Sequence, residues 1–376
     1  MKVAIVCDVL NEHSGSRVAI RLGQELSKKT DDTVVYFASN KLLSQETYAN
    51  LAKRNQIFVF SKPRFLSLSL VKRLRQEKVD VISAHCSLRI LISAYLSGIP
   101  VIRTDYGTQF PSVNGDYGSW KIGFWNKVTN LLADAFVYLR DALKFYFSKE
   151  TIGISHGNSK EVYRLYGRKI DYIYLGSDNF GGHGQESGYS QEGLGQDGKV
   201  RILSVSRFVP YKGFHILVDV ATVLRDSFPE VELVLAGSQN QGPYFEFLKK
   251  RTDFLGWVKI IVDPSDVELR RLFLMSNIYA SATRWEGWGL TFLEASSFGL
   301  PTLGFSSFVS ASEVIDNGRT GYLAGTVEDF GQKLNILMRN RELRLELGLY
   351  GKEFSQRFTW EQMAKEYCDL FKRIIP

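Results

Sequence analysis

Short apolar runs alternate with helical patterns along the first half of the chain, and polar turns separate them. Lys2 to Cys7 is an apolar run followed by polar residues, which is typical of a buried parallel strand. Arg17 to Lys28 has the apolar spacing of an amphipathic helix, and Val34 to Phe37 and Val79 to His85 predict further strands. Because strands and helices alternate with short links, this pattern predicts a doubly wound α/β fold, whose ligands bind at the carboxyl ends of the strands.

The same alternation begins again at Val200 to Ser206 and continues through Val231 to Gly237. Between the two halves, Gly181 to Gly198 is rich in Gly, Gln, Ser and Glu and has few large apolar residues. Such a stretch cannot build a core and indicates a linker or loop. The sequence therefore predicts two Rossmann-like domains, residues 1–180 and 200–357, joined by a Gly-rich segment at 181–199.

Two basic segments of the first half carry apolar residues at helical spacing. Lys62 to Lys78 predicts either a helix on an anionic membrane or a helix packed on the sheet with a solvated basic face. Core packing explains most of the longer stripe in Trp120 to Tyr146, and its excess of aromatic residues favours contact with an acceptor or a membrane. This stripe consists of Trp120, Phe124, Val128, Leu131, Ala135, Leu139 and Leu143.

Composition and charge narrow the class of protein. A content of 44% hydrophobic residues among 376 excludes wholesale disorder. Residues 1–180 hold 25 Lys and Arg against 16 Asp and Glu, whereas the rest is nearly neutral, so the first domain is expected to meet an anionic partner. On charge alone, a membrane, a lipid-linked diphosphate and nucleic acid all remain open.

Three distant cysteines favour a reducing compartment, and the first strand leaves no room for a signal peptide. No apolar run in the sequence reaches the roughly 20 residues that cross a bilayer. We therefore expect a cytoplasmic protein, peripheral at most on the inner face of the membrane.

The segment Trp285 to Ala295 contains two carboxylates eight positions apart, Glu286 and Glu294. A helix that begins after Gly289 would place Glu286 in the turn and Glu294 in the helix, with the amides of Gly289, Leu290 and Thr291 at its N-terminus. Such an end binds anions, because unpaired donors and the helix dipole act together. The amides would suit a diphosphate. One carboxylate would accept hydrogen bonds from sugar hydroxyls, and the other would accept them from a ribose diol. Spacing alone equally allows a helix start with incidental surface acids.

This segment resembles the E-x7-E signature of retaining GT-B glycosyltransferases, in particular glycosyltransferase family 4. Arg207 and Lys212 flank one strand-to-helix loop and resemble the R-x4-K-G motif of that family. The resemblance implies that Arg207 and Lys212 neutralise a leaving diphosphate, that Glu286 faces the sugar and that Glu294 faces the ribose. The turn at Gly237 resembles a family turn on the nucleotide side.

The resemblance extends to the first half of the chain. Gly15 and Ser16 resemble the glycine turn of the family's first loop, which implies a donor contact. The block that ends at Thr104-Asp105-Tyr106-Gly107 resembles a T-x-H-G pattern, with Tyr106 in place of the usual His. His85 and Tyr106 are thus candidates for the acceptor side, although a hydrogen-bonded residue at a strand end explains His85 more simply. Residues 358–376 resemble the terminal helix that crosses back onto the first domain in GT-B proteins.

Other classes lack their usual motifs. The five histidines share no ligand spacing, and the sequence contains no P-loop, no dinucleotide fingerprint after the first strand and no nucleic-acid-binding motif. We therefore predict a retaining, metal-independent glycosyltransferase that takes sugar from a UDP-sugar or GDP-mannose type of donor bound in a cleft between the domains. The expected acceptor is a lipid-linked or cell-envelope glycan. The alternatives are a non-catalytic acceptor-binding subunit of a partner transferase and a GT-B phosphorylase or epimerase.

Overall fold

A computed structural model describes residues 1–11, 14–29, 33–43, 45–60, 66–114, 119–178, 198–238 and 242–375. The described chain divides into two compact units. Unit 1 comprises Met1–Thr108, Ala135–Gly176 and Phe358–Pro376, and unit 2 comprises Gln109–Asp134 and Ser177–Arg357. Most of the predicted linker at 181–199 lies outside the described residues.

Unit 1 is built on a parallel sheet of seven strands with the order β3-β2-β1-β4-β5-β6-β7. Buried apolar residues fill the central strands, and the helices supply the rest of its core. The strands are β1 Lys2–Asn11, β2 Thr33–Leu42, β3 Gln56–Val59, β4 Val81–His85, β5 Val101–Asp105, β6 Glu150–Gly153 and β7 Asp171–Tyr172. The helices are α1 Ser14–Lys29, α2 Gln45–Ala52, α3 Leu68–Gln76, α4 Leu88–Tyr95, α6 His156–Tyr166 and α14 Trp360–Ile374, together with the second half of α5 Phe124–Lys144.

Unit 2 has a parallel sheet of six strands with the order β10-β9-β8-β11-β12-β13. The strands are β8 Val200–Val205, β9 Val231–Gly237, β10 Val258–Val262, β11 Ile278–Ser281, β12 Thr302–Phe305 and β13 Gly321–Ala324. The helices are α7 Phe214–Arg225, α8 Pro243–Thr252, α9 Asp266–Leu274, α10 Leu290–Ser297, α11 Ala311–Val314, α12 Val327–Arg339 and α13 Arg341–Ser355. The strand order reverses beside the central strand in both sheets, as the predicted doubly wound fold requires.

The C-terminal helix α14 belongs to unit 1. It packs on α1, and the Tyr367 hydroxyl lies 2.8 Å from Thr104 Oγ1 on β5. A Cβ atom on Gly176 would lie 2.3 Å from the backbone nitrogen of Trp360, so the chain passes the start of α14 at close range. The last helix therefore completes the first unit.

Two features differ from the sequence prediction. Gln109–Asp134 groups with unit 2 rather than with the expected 1–180, and Trp120 packs on Tyr244 and Phe247 of that unit. The prediction that core packing explains most of the stripe in α5 is wrong, because only Val137 and Asp141 of this helix are buried. Helical periodicity predicts that a helix has an apolar face, but it does not predict whether that face is buried.

Helix α3 packs on the sheet, as one of the two open interpretations expects. Leu70 and Leu74 are buried, and Arg73 stacks over the Phe58 ring at 4.0 Å. Residues 62–65 of the basic segment lie outside the described residues. This part of the first domain is thus a packed helix with a solvated basic face.

Candidate active site

The loop between β8 and α7 holds two of the predicted site residues, Arg207 and Lys212. A short 3₁₀ turn, Pro210–Lys212, ends at Gly213, whose φ is 70°. A Cβ atom at Gly213 would lie 2.2 Å from the carbonyl oxygen of Ala282. Only glycine tolerates both that conformation and that approach. The K-G pair therefore has a structural reason: glycine fixes the path of the loop and with it the place of Lys212.

Lys212 and Glu286 form an ion pair, with the Lys212 ammonium donating to Glu286 Oε1. The Lys212 side chain is 6% exposed and that of Glu286 is 19% exposed. Arg207 is exposed and donates from Nη2 to the Tyr211 hydroxyl at 2.5 Å, while Lys212 Nζ lies 5.0 Å from the centre of the same ring. Tyr211, which sequence reasoning missed, thus lies between two cations beside one carboxylate.

Helix α10 begins directly after Gly289, as predicted. Gly289 adopts φ 85°, and Leu290 is the first helical residue. The first N–H groups of a helix have no acceptor within it, and the helix dipole makes this end positive. The turn that holds Glu286 therefore leads directly into an end suited to an anion.

Glu294 and Thr291 follow on α10, and Tyr279 on β11 connects Thr291 to the sheet. Glu294 is buried, and the Tyr279 hydroxyl lies 2.7 Å from Thr291 Oγ1 and 3.3 Å from the carbonyl oxygen of Val205. Burial raises the pKa of the Tyr279 hydroxyl, and the carboxylates of Glu286 and Glu294 raise it further. Both carboxylates therefore act on one buried hydroxyl. Only a place in an apolar strand marked Tyr279 in the sequence, which is too weak a signal to single it out.

Gly237 ends β9, next to the Arg207 loop. A Cβ atom there would lie 1.6 Å from the carbonyl oxygen of Ser206, and the amide of Phe208 donates to the Ser238 carbonyl at 3.1 Å. Backbone packing explains the glycine at this position. Unit 2 thus brings Arg207, Lys212 and Glu286 into one cluster, with Thr291 and Glu294 on the adjoining helix and Gly237 beside the loop.

The four predicted residues of unit 1 line a single cavity of about 460 Å³ at the carboxyl ends of β1, β4 and β5. Gly15 and Ser16 lie in the first turn of α1 rather than in the preceding loop. A Cβ atom on Gly15 would lie 3.3 Å from Tyr106 Cζ, and Ser16 Oγ donates to the Val9 carbonyl at 2.5 Å. His85 completes this group on β4.

His85 and Tyr106 are joined by a hydrogen bond of 2.6 Å between Nδ1 and the hydroxyl. Ser83 Oγ lies 2.9 Å from His85 Nε2, and the Tyr106 hydroxyl lies 3.2 Å from the Gly15 carbonyl oxygen. Burial lowers the pKa of His85 to about 3, so the imidazole is neutral at physiological pH. His85 therefore has the hydrogen-bonded place at a strand end that the simpler interpretation expects, and it also faces the cavity.

Charged residues that sequence reasoning missed surround the same cavity. Arg103 pairs with Asp105 at 2.8 Å on β5, and Asp141 of α5 accepts from Arg140 at 2.9 Å and from Lys144 at 2.8 Å. Although burial alone would raise the pKa of Asp141, these two partners hold it below its usual range. The cavity therefore has a polar, ionised wall suited to a hydroxylated ligand. Among the described residues, no three His, Cys, Asp or Glu side chains are grouped as metal ligands.

Residues 189–354 match the family model described as Glycosyl transferases group 1. An uncharacterized glycosyltransferase of Haemophilus influenzae is 29% identical over 168 residues, which are 44% of this chain and 47% of that protein. The chain thus spans about half the length of this relative. A 41.2 kDa protein in the cps region of Klebsiella pneumoniae is 24% identical over 349 residues, which cover 89% of this chain and 88% of that protein.

The fold is similar to that of Anabaena Alr3699/HepE, solved in complex with UDP and glucose. The TM-score is 0.74 at 18% identity, with 99% of this chain and 100% of that chain covered. Two parallel-sheet units joined in this order are the GT-B architecture that the sequence predicts. Residues 189–354 are therefore similar to the Glycosyl transferases group 1 family, and the two units have the fold of the GT-B glycosyltransferases.

Proposed function

We propose that this protein is a retaining glycosyltransferase that moves a sugar from a nucleoside-diphosphate sugar to a glycan or lipid-linked acceptor. The observation that carries the proposal is the cluster of Arg207, Lys212 and Glu286 beside the start of α10. It joins two cations and a carboxylate to a helix end that favours anions. The match of this half of the chain to a glycosyltransferase family supports the same function.

In this proposal, the donor diphosphate binds to Arg207, Lys212 and the amides at the start of α10. Glu286 accepts hydrogen bonds from the sugar hydroxyls, and the buried Glu294 accepts those of the ribose. A UDP-sugar or a GDP-mannose type of donor fits this set, and the UDP and glucose bound to HepE support a donor of this class. The two cations supply the charge that a metal ion would otherwise supply to the leaving group, so no metal is required.

The proposed reaction breaks the bond between the sugar C1 and the diphosphate and forms a bond from C1 to an acceptor hydroxyl oxygen. Attack occurs on the face that the diphosphate leaves, so the configuration at C1 is retained. The acceptor proton passes to the leaving phosphate oxygen, and Arg207 and Lys212 stabilise the charge that develops there. The cavity of unit 1 is the proposed acceptor site, because hydroxyl, imidazole and carboxylate groups line it.

A thermal-shift screen against UDP, GDP, ADP and dTDP and their sugars tests the donor assignment. A nucleotide that binds only the folded protein raises its melting temperature, and the rise grows with the ratio of its concentration to its Kd. We expect one base to stabilise the wild type with and without Mg²⁺, and Lys212→Ala to reduce the shift. The absence of a shift with any nucleotide in either condition would contradict the donor assignment and favour an acceptor-binding subunit of a partner transferase.

A further inference from the structure

A second cavity lies in unit 2, at the N-terminal ends of its central strands. It is lined by Val200 at the start of β8, by Asn277, which precedes β11, and by Pro301, which precedes β12. Lys212 and Glu286 follow the carboxyl ends of β8 and β11 instead. Because these strands are parallel, their two ends lie on opposite sides of the sheet. The cavity is therefore separate from the proposed donor site.

Three basic side chains line this cavity, Lys199, Arg341 and Arg344, and no described Asp or Glu does. Arg341 and Arg344 are three positions apart on α13, so their side chains lie on one face of the helix. The acids of the same turns, Glu342 and Glu346, are exposed and are not among the lining residues. The described lining of the cavity therefore carries positive charge only.

Arg344 is partly buried, and its guanidinium is anchored. Nη1 donates to the carbonyl oxygens of Leu337 at 2.7 Å and of Met338 at 3.0 Å, in the last turn of α12. Burial lowers the pKa of Arg344, and the neighbouring Arg341 lowers it further, although an arginine stays ionised at physiological pH. Among the described residues, neither guanidinium has a carboxylate partner. Since like charges at this spacing repel, an anion bound to both would stabilise them.

The size and the remaining walls of the cavity limit the kind of anion. Its volume of about 200 Å³ is below the roughly 300–1,000 Å³ of pockets for drug-sized ligands. Leu300, Pro301 and Leu345 add apolar surface beside the cations. A guanidinium binds phosphate oxygens through two parallel hydrogen bonds, and an apolar wall suits a short carbon skeleton. The cavity therefore fits a compact phosphate compound better than a nucleotide sugar.

We propose that this cavity binds the phosphate group of a small molecule. Arg341 and Arg344 contact the phosphate oxygens, and Lys199 lies beside them. In a phosphate monoester, the carbon skeleton contacts Leu300 and Leu345, whereas inorganic phosphate occupies the cationic part alone. Because the cavity shares no residue with the proposed donor site, this inference does not depend on the transferase proposal.

Thermal-shift titration of the full chain with ribose 5-phosphate, inorganic phosphate and ribose, at constant ionic strength, tests this proposal. We expect ribose 5-phosphate to raise the melting temperature of the wild type and of Lys212→Ala alike, and ribose to leave it unchanged. Inorganic phosphate with the same Kd would identify the free ion as the ligand, and a higher Kd would identify the ester.

Two charge reversals in the cavity and one outside it locate the binding. Arg341→Glu and Lys199→Glu should each raise the apparent Kd for ribose 5-phosphate by about tenfold or more, because an attractive contact becomes a repulsive one. Both side chains are exposed, so both variants should fold. Lys352→Glu, on an exposed lysine of α13 outside the cavity, is the matched control and should bind as the wild type does.

Four results would overturn the proposal. The first is no shift with either phosphate compound, and the second is an unchanged Kd in Arg341→Glu and Lys199→Glu. The third is loss of the shift in Lys212→Ala, which would place the binding at the proposed donor site. The fourth is an equal loss of affinity in Arg341→Glu and Lys352→Glu, which would make it a general effect of charge.

Discussion

Lys212 and Glu286 lie 74 positions apart in the sequence, and the Lys212 ammonium donates to the Glu286 carboxylate. The pair links the loop after β8 to the turn before α10, which are the two segments that carry the family motifs. A buried ammonium needs a counter-charge, and the carboxylate provides it until a diphosphate can. The pair thus holds a cation ready at the proposed donor site.

Lys212→Ala should lower kcat by about 10²–10³-fold, because it removes one group that stabilises the leaving diphosphate. The free energy of unfolding should fall by only about 1–3 kcal/mol, since Glu286 retains contact with water. Steady-state kinetics and urea unfolding measure the two effects. Lys250→Ala, which removes an exposed lysine on α8 of the same unit, should leave both unchanged. A turnover that survives Lys212→Ala would remove Lys212 from the mechanism.

Substitutions at Glu286 and at Glu294 should change ligand affinity in different ways. Glu294→Gln should lower the affinity for the free nucleoside diphosphate and for the whole donor by about tenfold or more, because a charge-assisted hydrogen bond to the ribose is lost. Glu286→Gln should bind the free nucleotide at least as well as the wild type, since Lys212 loses its carboxylate partner, but should turn over poorly.

Calorimetric titration with the nucleoside diphosphate and with the donor distinguishes the two variants. Glu246→Gln on α8 is the control, because its side chain is exposed. If Glu286→Gln lowers the affinity for the free nucleotide as much as Glu294→Gln does, the assignment of Glu286 to the sugar is wrong.

Gly213→Ala should destabilise unit 2 by about 3 kcal/mol or more, because both the φ of 70° and the contact with the Ala282 carbonyl oppose a Cβ atom. Gly318→Ala is a matched control at φ 85° with no atom within 4 Å of its Cβ position, and should cost about 1 kcal/mol. Urea unfolding of both variants gives the comparison. Equal losses would show that the close approach at Gly213 contributes nothing.

The buried His85 and the partly buried Glu161 of unit 1 should give opposite pH dependence of stability. The pKa of His85 is lowered to about 3, so the unfolded chain binds its proton more readily, and stability falls as the pH drops from 6.5 toward 3. Burial raises the pKa of Glu161 to about 7, so the folded chain keeps a proton that the unfolded chain loses between pH 4.5 and 7. That stabilisation is present at low pH and is lost as the pH rises through 7.

From pH 7 to pH 5, each group should change the free energy of unfolding by about 2 kcal/mol, in opposite directions. Urea unfolding at both pH values should therefore show Glu161→Gln losing more stability in acid than the wild type, and His85→Gln losing less. Identical pH dependence in all three proteins would contradict both pKa shifts.

The fold could be predicted from the sequence because each strand and each helix has its own spacing of apolar residues and its own turn residues at its ends. The start of α10 at Leu290 follows from the run Leu290 to Ser297, which contains no Pro or Gly and comes directly after Gly289. Lys212 and Glu286 were identified by their motifs. Tyr211, Tyr279 and the ion pairs around Arg103 and Asp141 were missed, although their partners lie within twelve positions in the sequence. No motif marks these pairs, and only the tertiary fold places them at a cavity or a cluster. For the same reason, the apolar period of α5 could not tell that its stripe faces solvent.

The central claim is that the Lys212 and Glu286 site transfers a sugar with retention. The most direct measurement is transfer from the stabilising donor, labelled with ¹³C at C1 of the sugar, to a lipid extract, with NMR of the product's anomeric carbon. We predict a glycosylated product with the donor's anomeric configuration from the wild type, and about 10²–10³-fold less from Lys212→Ala. An inverted product, turnover only with added phosphate, or no transfer from a donor that binds would contradict the account.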